Sequence, residues 1–224
     1  FLMFELNPSP DIQVEIVDDC KVYTIDNFYQ DPDSVYEYIM SHDAELWKMD
    51  EEPTHNNIFF EDKKIHLETE EVSKVYSFLQ QLCGGKIGYN DEVEVNVTRF
   101  KKDKFNNYRK NYWIPHQDVG YNIVIYFNKE QNDCGTNLYE LLDPDNEPPD
   151  DEHGGEHYYP WRPKEKYKVL KTLEPKYNRM VAFDGFKTYH GMNICDNVFF
   201  DKTYRVTQVF FLLDEFIDLE EELD

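Results

Sequence analysis

The spacing of apolar positions changes period partway along the chain. In the front part it is helical. The stretch DPDSVYEYIMSHDAELW (31–47) carries Val35, Ile39 and Leu46 as an approximate stripe, behind Asp31 as an N-cap and Pro32 at the first helical position. The stretch ETEEVSKVYSFLQQLCGG (68–85) repeats Val72, Val75, Phe78, Leu79 and Leu82 at helical spacing and stops at Gly84-Gly85. Before both, KVYTIDNF (21–28) reads as a strand ending in a polar turn.

Beyond Gly88 the period becomes two. DEVEVNVTRF alternates Val93, Val95 and Val97 with Glu94, Asn96 and Thr98, the pattern of a half-buried strand. YWIPHQD, YNIVIYFN, GTNLYEL, KYKVLKTL, NRMVAFD and TYRVTQVFFLL are further strand candidates, separated by turn-rich pieces. Many short strands at this spacing predict a mainly β sandwich or barrel, with the two front helices covering one outer face. No solenoid repeat is present. One domain is expected over 1–224: a helix-rich front at 20–90, a β core at 91–213 with a Pro-, Gly- and acid-rich insertion at 143–163, and an acidic tail at 214–224. An insertion of that length is expected to be a lid or a disordered loop. Tyr158, Tyr159 and Trp161 would be its aromatic wall.

Composition supports a packed core. Of 224 residues, 40% are hydrophobic, and 17 Tyr and 16 Phe favour strands. The net charge of −23 argues against a nucleic-acid footprint or an anionic membrane surface. It fits solubility in a cytoplasm and leaves room for a basic peptide or protein substrate. No apolar run is long enough to span a bilayer, and FLMFELNPSP is not a signal peptide. Cys20, Cys83, Cys134 and Cys195 are widely spaced. They are expected to be free, mostly buried thiols rather than zinc ligands or disulfides.

The candidate chemistry lies in HQD. On a strand, His116 and Asp118 share a face, and Gln117 points the other way. A lone H-x-D occurs often by chance, so a third ligand decides. Of the other histidines, His42, His55 and His66 fall in the helical front and suit surface or packing roles. His153 and His157 lie in HGGEH, where the Gly pair gives poor preorganisation. His190 comes late, after a strand and an Asp184-Gly185 turn, where a second β element can close on the pair. With it the set becomes a two-His-one-carboxylate triad, which holds Fe(II) by one face and leaves three positions open. Arg205 shares a strand face with Thr207, Val209 and Phe211, and a charge there needs a partner. That partner is either one of the chain's own carboxylates or a ligand carboxylate, gripped by the guanidinium fork with help from Thr207.

In this order, H-x-D, IYFN, CGTNLYE, the late His and R-x-T resemble the Fe(II)- and 2-oxoglutarate-dependent oxygenases. The prolyl-4-hydroxylase-like branch is the most similar, with a small uncharacterised group in bacterial and phage genomes. VYTIDNFYQDPDSVYEYI resembles that group's opening, and the likeness covers about 20–212. The resemblance implies a double-stranded β-helix (jelly-roll, cupin-like) core with N-terminal supporting helices. It implies Fe(II) on His116, Asp118 and His190. It implies 2-oxoglutarate, its distal carboxylate on Arg205, Thr207 and the Tyr126 hydroxyl, with dioxygen as oxidant and ascorbate in support. The implied reaction couples oxidative decarboxylation of 2-oxoglutarate to C–H hydroxylation of a prolyl residue in a protein or peptide, or of an amino acid. A carboxylate at 118 implies hydroxylation, because the family's halogenases carry a small residue there. Two features depart from the pattern: a short interval between Asp118 and Tyr126, and Cys134-Gly135 where a Gly pair is usual. The competing readings are a non-catalytic jelly-roll binding or virion module, a nucleic-acid dealkylase needing a basic groove, and a cupin-type metalloenzyme with no use for Arg205 or 2-oxoglutarate.

Overall fold

The computed structural model describes residues 4–41, 45–46, 61–62, 70–84, 86–87, 94–98, 108–130, 132–144, 161–195, 199 and 203–213. Most of the insertion, all of the tail, and His42, His55, His66, His153, His157, Tyr158 and Tyr159 lie outside the described residues.

In chain order the elements are β1 (Asp11–Val17), β2 (Cys20–Asp26), α1 (Pro32–Met40), β3 (Glu45–Leu46), β4 (Glu61–Asp62), α2 (Glu70–Cys83), β5 (Lys86–Ile87), β6 (Glu94–Thr98), β7 (Asn111–Trp113), β8 (Tyr121–Tyr126), β9 (Thr136–Leu141), β10 (Trp161–Pro163), β11 (Tyr167–Leu173), β12 (Arg179–Asp184), β13 (Tyr189–Met192) and β14 (Arg205–Leu213). The protein is mainly β, and every strand pair among the described residues is antiparallel.

The larger sheet runs β1-β2-β12-β8-β14-β5, with β6 also paired to β14. A second sheet runs β11-β9-β13. It is extended by an isolated bridge between His116 and His190, while β7 pairs with β10. Side chains sort by parity. Ile123 and Ile125 of β8, Met180 and Ala182 of β12, and Val206, Phe210 and Leu212 of β14 pack with Val35 and Ile39 of α1 and Val72, Val75 and Leu79 of α2. The alternate positions, Val124, Tyr126, Val181 and Phe183, turn the other way and meet Leu138 and Leu173 of the second sheet. The front helices therefore cover one face of the larger sheet, as their apolar stripes require. The space between the sheets belongs to the other face. A buried polar contact crosses the helix side, where the Tyr29 hydroxyl donates to Gln208 Oε1 at 2.6 Å.

Several boundaries differ from the sequence reading. α1 starts as expected, with the Asp31 side chain accepting from Ser34 N at 3.1 Å, a cap worth about 1 kcal/mol. It stops at Ser41, so Leu46 falls in β3 and not on the helical stripe. α2 ends on Gly84 at φ +85°, the left-handed position a glycine C-cap supplies. β1 was not predicted. It is an edge strand whose Ile12, Val14 and Ile16 are exposed, so its alternation lacks a buried face to mark it. Trp161, expected in a loop wall, belongs to β10 and packs edge-on against Trp113 at 5.0 Å. The cysteines are free, but only Cys134 is buried. Cys20 and Cys83 are half-buried and Cys195 is exposed, which corrects the expectation of mostly buried thiols. No helix among the described residues is long and apolar enough to cross a membrane.

Candidate metal centre

HQD does not lie in a regular strand, contrary to the sequence reading. β7 ends at Trp113, and Ile114 takes φ +36°, a rare conformation for a β-branched residue. The turned backbone aims the Ile114 carbonyl at its own neighbour's ring, 2.7 Å from His116 Nδ1. His116 then rejoins the sheet through paired backbone hydrogen bonds with His190, 3.0 and 2.8 Å long. Asp118 is held from the opposite side, its N–H donating to Gly185 O at 3.0 Å. Gln117 is exposed, as its parity predicted, and its amide donates to Phe186 O. The Asp184-Gly185 turn thus clasps HQD. Asp184 braces that turn by accepting from the N–H groups of Phe186 and Lys187.

His116, Asp118 and His190 each present one ligand atom, all within 4.8 Å of one another. Asp118 Oδ2 lies 3.5 Å from His116 Nε2 and 3.1 Å from His190 Nε2. Metal–ligand bonds of about 2.1 Å place neighbouring ligand atoms about 3.0 Å apart in an octahedron and about 3.4 Å in a tetrahedron. The two edges that meet at Asp118 have the length of ligand–ligand edges in such a shell.

The ring tautomers agree. His190 Nδ1 lies 3.1 Å from Thr188 O, as His116 Nδ1 does from Ile114 O. A carbonyl only accepts, so both Nδ1 atoms carry a proton, and in a neutral ring that leaves the Nε2 lone pair facing inward. Burial holds the His190 pKa below its ordinary value, against the pull of Asp118, so the ring is neutral. Burial works to raise Asp118, but its hydrogen bonds to His116 and His190 win and hold it far below the carboxylate range. The two directions draw on the same contact, because a neutral His190 gives Asp118 less help. A neutral His190 beside an ionised Asp118 is the state the carbonyl contacts support. That state brings two lone-pair donors together at 3.1 Å, an arrangement a cation between them stabilises.

Sequence reasoning missed Asn122. It starts the inward row Asn122, Val124, Tyr126 on β8 and is buried. Its Nδ2 contacts Asp118 Oδ2 and lies 2.8 Å from His190 Nε2. The available signal was an amide at an inward position of an otherwise apolar strand.

Tyr126 closes the same row four residues on, about 13 Å along the strand. Its hydroxyl is 2.7 Å from Thr136 Oγ1, and the Arg205 guanidinium lies 5.6 Å from its ring centre. Arg205 is buried. It donates through Nε to Cys134 O at 2.8 Å, through Nη2 to Gly135 O at 3.4 Å, and through Nη1 to Thr207 Oγ1 at 3.4 Å. These acceptors are neutral, and no carboxylate among the described residues pairs with it. Burial lowers its pKa, with Tyr126 and Cys134 opposing. The internal-salt-bridge reading of Arg205 therefore finds no partner here. A buried guanidinium without a counter-ion is costly, and an anionic ligand offsets that cost.

The triad is most open at His116 and Asp118, whose side chains are 27% and 28% exposed, against 7% for His190. Val119, next to Asp118 in the chain, and Phe186, next to Gly185, are exposed. The chain matches no protein-family model and no curated protein sequence.

Proposed function

We propose that the chain is an Fe(II)- and 2-oxoglutarate-dependent oxygenase built on a double-stranded β-helix. The observation that carries the reading is the pairing of two features between the sheets. A His-Asp-His cluster whose ligand atoms lie within 4.8 Å of one another lies at one end, and a buried Arg205 without a carboxylate partner among the described residues lies at the other. The strand order supports the fold. β6-β14-β8-β12 and His116-β13-β9-β11 are two antiparallel sets of four, in the interleaved order of such a β-helix.

In this reading His116, Asp118 and His190 hold Fe(II), and Arg205 with Thr207 and Tyr126 binds the distal carboxylate of 2-oxoglutarate. The bound ion supplies dioxygen activation: C–H, 2-oxoglutarate and dioxygen become C–OH, succinate and carbon dioxide. The chain supplies the rest. Ile114 and Thr188 carbonyls fix both imidazoles with their lone pairs inward. The Asp184-Gly185 turn holds Asp118. Arg205 fixes the orientation of the cosubstrate, and the packed inner row excludes water between the two ends. The substrate approaches on the side of His116 and Asp118, past Val119 and Phe186. An apolar ring such as a prolyl group in a peptide suits that rim, and a free amino acid is the smaller alternative.

The test is anaerobic addition of Fe(II) and 2-oxoglutarate to the purified chain. The expected result is a weak visible charge-transfer band together with calorimetric binding of 2-oxoglutarate. Tight metal binding with no band and no 2-oxoglutarate binding would favour a metalloenzyme that does not use this cosubstrate. Binding of neither would overturn the metal reading itself.

A further inference from the structure

Asn122 makes contacts that neither a packing residue nor a simple brace needs. It sits on β8, whose backbone is paired on both edges, opposite Phe183 on β12 and Phe211 on β14. Its amide therefore has a fixed root. The nitrogen end faces the cluster, touching Asp118 Oδ2 and lying 2.8 Å from His190 Nε2. The oxygen end is buried and has no hydrogen-bond partner among the described residues.

The surroundings of that oxygen are themselves oxygen-rich. A methyl placed on Gly185 would stand 2.5 Å from Asn122 Oδ1 and 3.1 Å from the Gly120 carbonyl oxygen. Two acceptors thus border one small space; the Gly120 oxygen already accepts from the Gly185 and Phe186 N–H groups at 2.8 and 3.3 Å, and Oδ1 is the one left without a donor. An unpaired buried acceptor of this kind is destabilising. Turning the amide half a revolution exchanges its two ends within the same volume. An N–H group then faces the side of the Gly120 carbonyl, and Oδ1 takes the place of Nδ2. In that place the oxygen stands about one octahedral edge from His190 Nε2, beside Asp118 Oδ2. An amide oxygen there, next to two other ligand atoms, has the spacing of a further ligand to the same ion.

We propose that Asn122 is a fourth protein ligand of the metal centre, through Oδ1. The inference rests on the metal site argued above and deepens it. A neutral amide oxygen is a weaker donor than imidazole or carboxylate. It is therefore the ligand most readily displaced, and it makes exchange at that position a property of this chain instead of bulk water. Gly185 belongs to the device, because any side chain there would press on the amide.

The alternative is that Asn122 serves only as a donor that braces Asp118 through Nδ2. The two roles predict opposite results for one substitution. Asn122→Asp places an anionic oxygen where the ligand oxygen would be, and so tightens metal binding. A carboxylate in place of a brace would repel Asp118, and so weakens binding more than Asn122→Ala does. The experiment is a Co(II) titration of the wild-type chain and of both variants, followed by calorimetry and the visible Co(II) spectrum. The expected result is a 10- to 100-fold loss of affinity in Asn122→Ala with a changed spectrum, and affinity at or above wild type in Asn122→Asp. Equal affinity and spectrum in Asn122→Ala, or weaker binding in Asn122→Asp than in Asn122→Ala, overturns the proposal and leaves the triad standing. A wild-type chain that binds no Co(II) overturns the metal reading and this inference together. Where a variant is unstable without the ion, the rise in its melting temperature on adding Co(II) ranks affinity in the same order.

Discussion

His116 and His190 are backbone partners, exchanging N–H···O bonds of 3.0 and 2.8 Å across 74 residues of chain. The two candidate imidazole ligands are thus spaced by a sheet register rather than by their own side chains. Their rings stand 4.4 Å apart between centres. Next to this pair, Gly191 lies against the opposing backbone. A Cβ there would meet Trp113 O at 2.5 Å and Ile114 O at 2.7 Å.

Gly191→Ala should therefore force β13 away from the segment carrying His116. Backbone atoms yield less easily than side-chain tips, so the cost should be about 1–3 kcal/mol, as for other overpacked sites. For a domain of this size that lowers the melting temperature by roughly 2–12 °C. Metal affinity should fall with it, because the Nε2 spacing depends on the register. Thermal melting and Co(II) titration check both effects. A wild-type melting temperature with wild-type affinity would show that the two backbones do not meet at this glycine.

Arg205→Ala separates ligand recognition from metal binding. The guanidinium is far along the strands from the triad, and it donates to the Cys134 and Gly135 carbonyls and Thr207. If a carboxylate of 2-oxoglutarate completes it, truncation should cost about 2–5 kcal/mol of cosubstrate binding, a 30-fold or greater loss. Co(II) affinity should stay within about twofold. Arg205→Lys should rescue only part, since a point charge does not reproduce the planar fork. Calorimetric titration of 2-oxoglutarate into the metal-loaded variants is the measurement. Undiminished binding in Arg205→Ala would refute the assignment of Arg205.

Much of this arrangement was legible in the sequence, for identifiable reasons. The inward parity of Arg205 and Thr207 followed from strict alternation in a strand buried on both faces. The helices announced themselves through capping at Asp31 and Gly84. The closeness of His116, Asp118 and His190 was expected from order and chemistry. The local route was not, because Ile114 breaks the strand with a positive φ that no residue preference signals. β1 escaped notice because an exposed edge strand has no buried face to impose a period on it. Asn122 escaped because a single inward amide resembles any buried polar residue until its neighbours are known. Contacts between residues distant in sequence, such as Gly185 against Asn122, leave no local trace.

Asp26, at the end of β2, joins the larger sheet by charge. It accepts from Arg179 Nε at 2.6 Å and Nη2 at 3.1 Å on β12, and from Lys176 Nζ at 2.6 Å. The Arg179 hydrogen bond, outweighing burial, lowers the Asp26 pKa, with Lys176 adding to the effect. A folded pKa below the unfolded one means stabilisation that is complete above the ordinary carboxylate pKa, near 3.9, and is lost as pH falls through the folded value. Asp26→Asn should therefore cost about 1–3 kcal/mol at pH 7, a range that discounts the partly exposed Lys176. The gap between variant and wild type should narrow as the pH drops below about 4. Urea unfolding of both chains at pH 7 and at successively lower pH tests this. Comparing the two chains at each pH cancels most of the self-repulsion of a chain carrying −23 net charge, which changes with pH in both alike. A gap that keeps its size into strong acid would mean that the carboxylate charge is not what stabilises this junction.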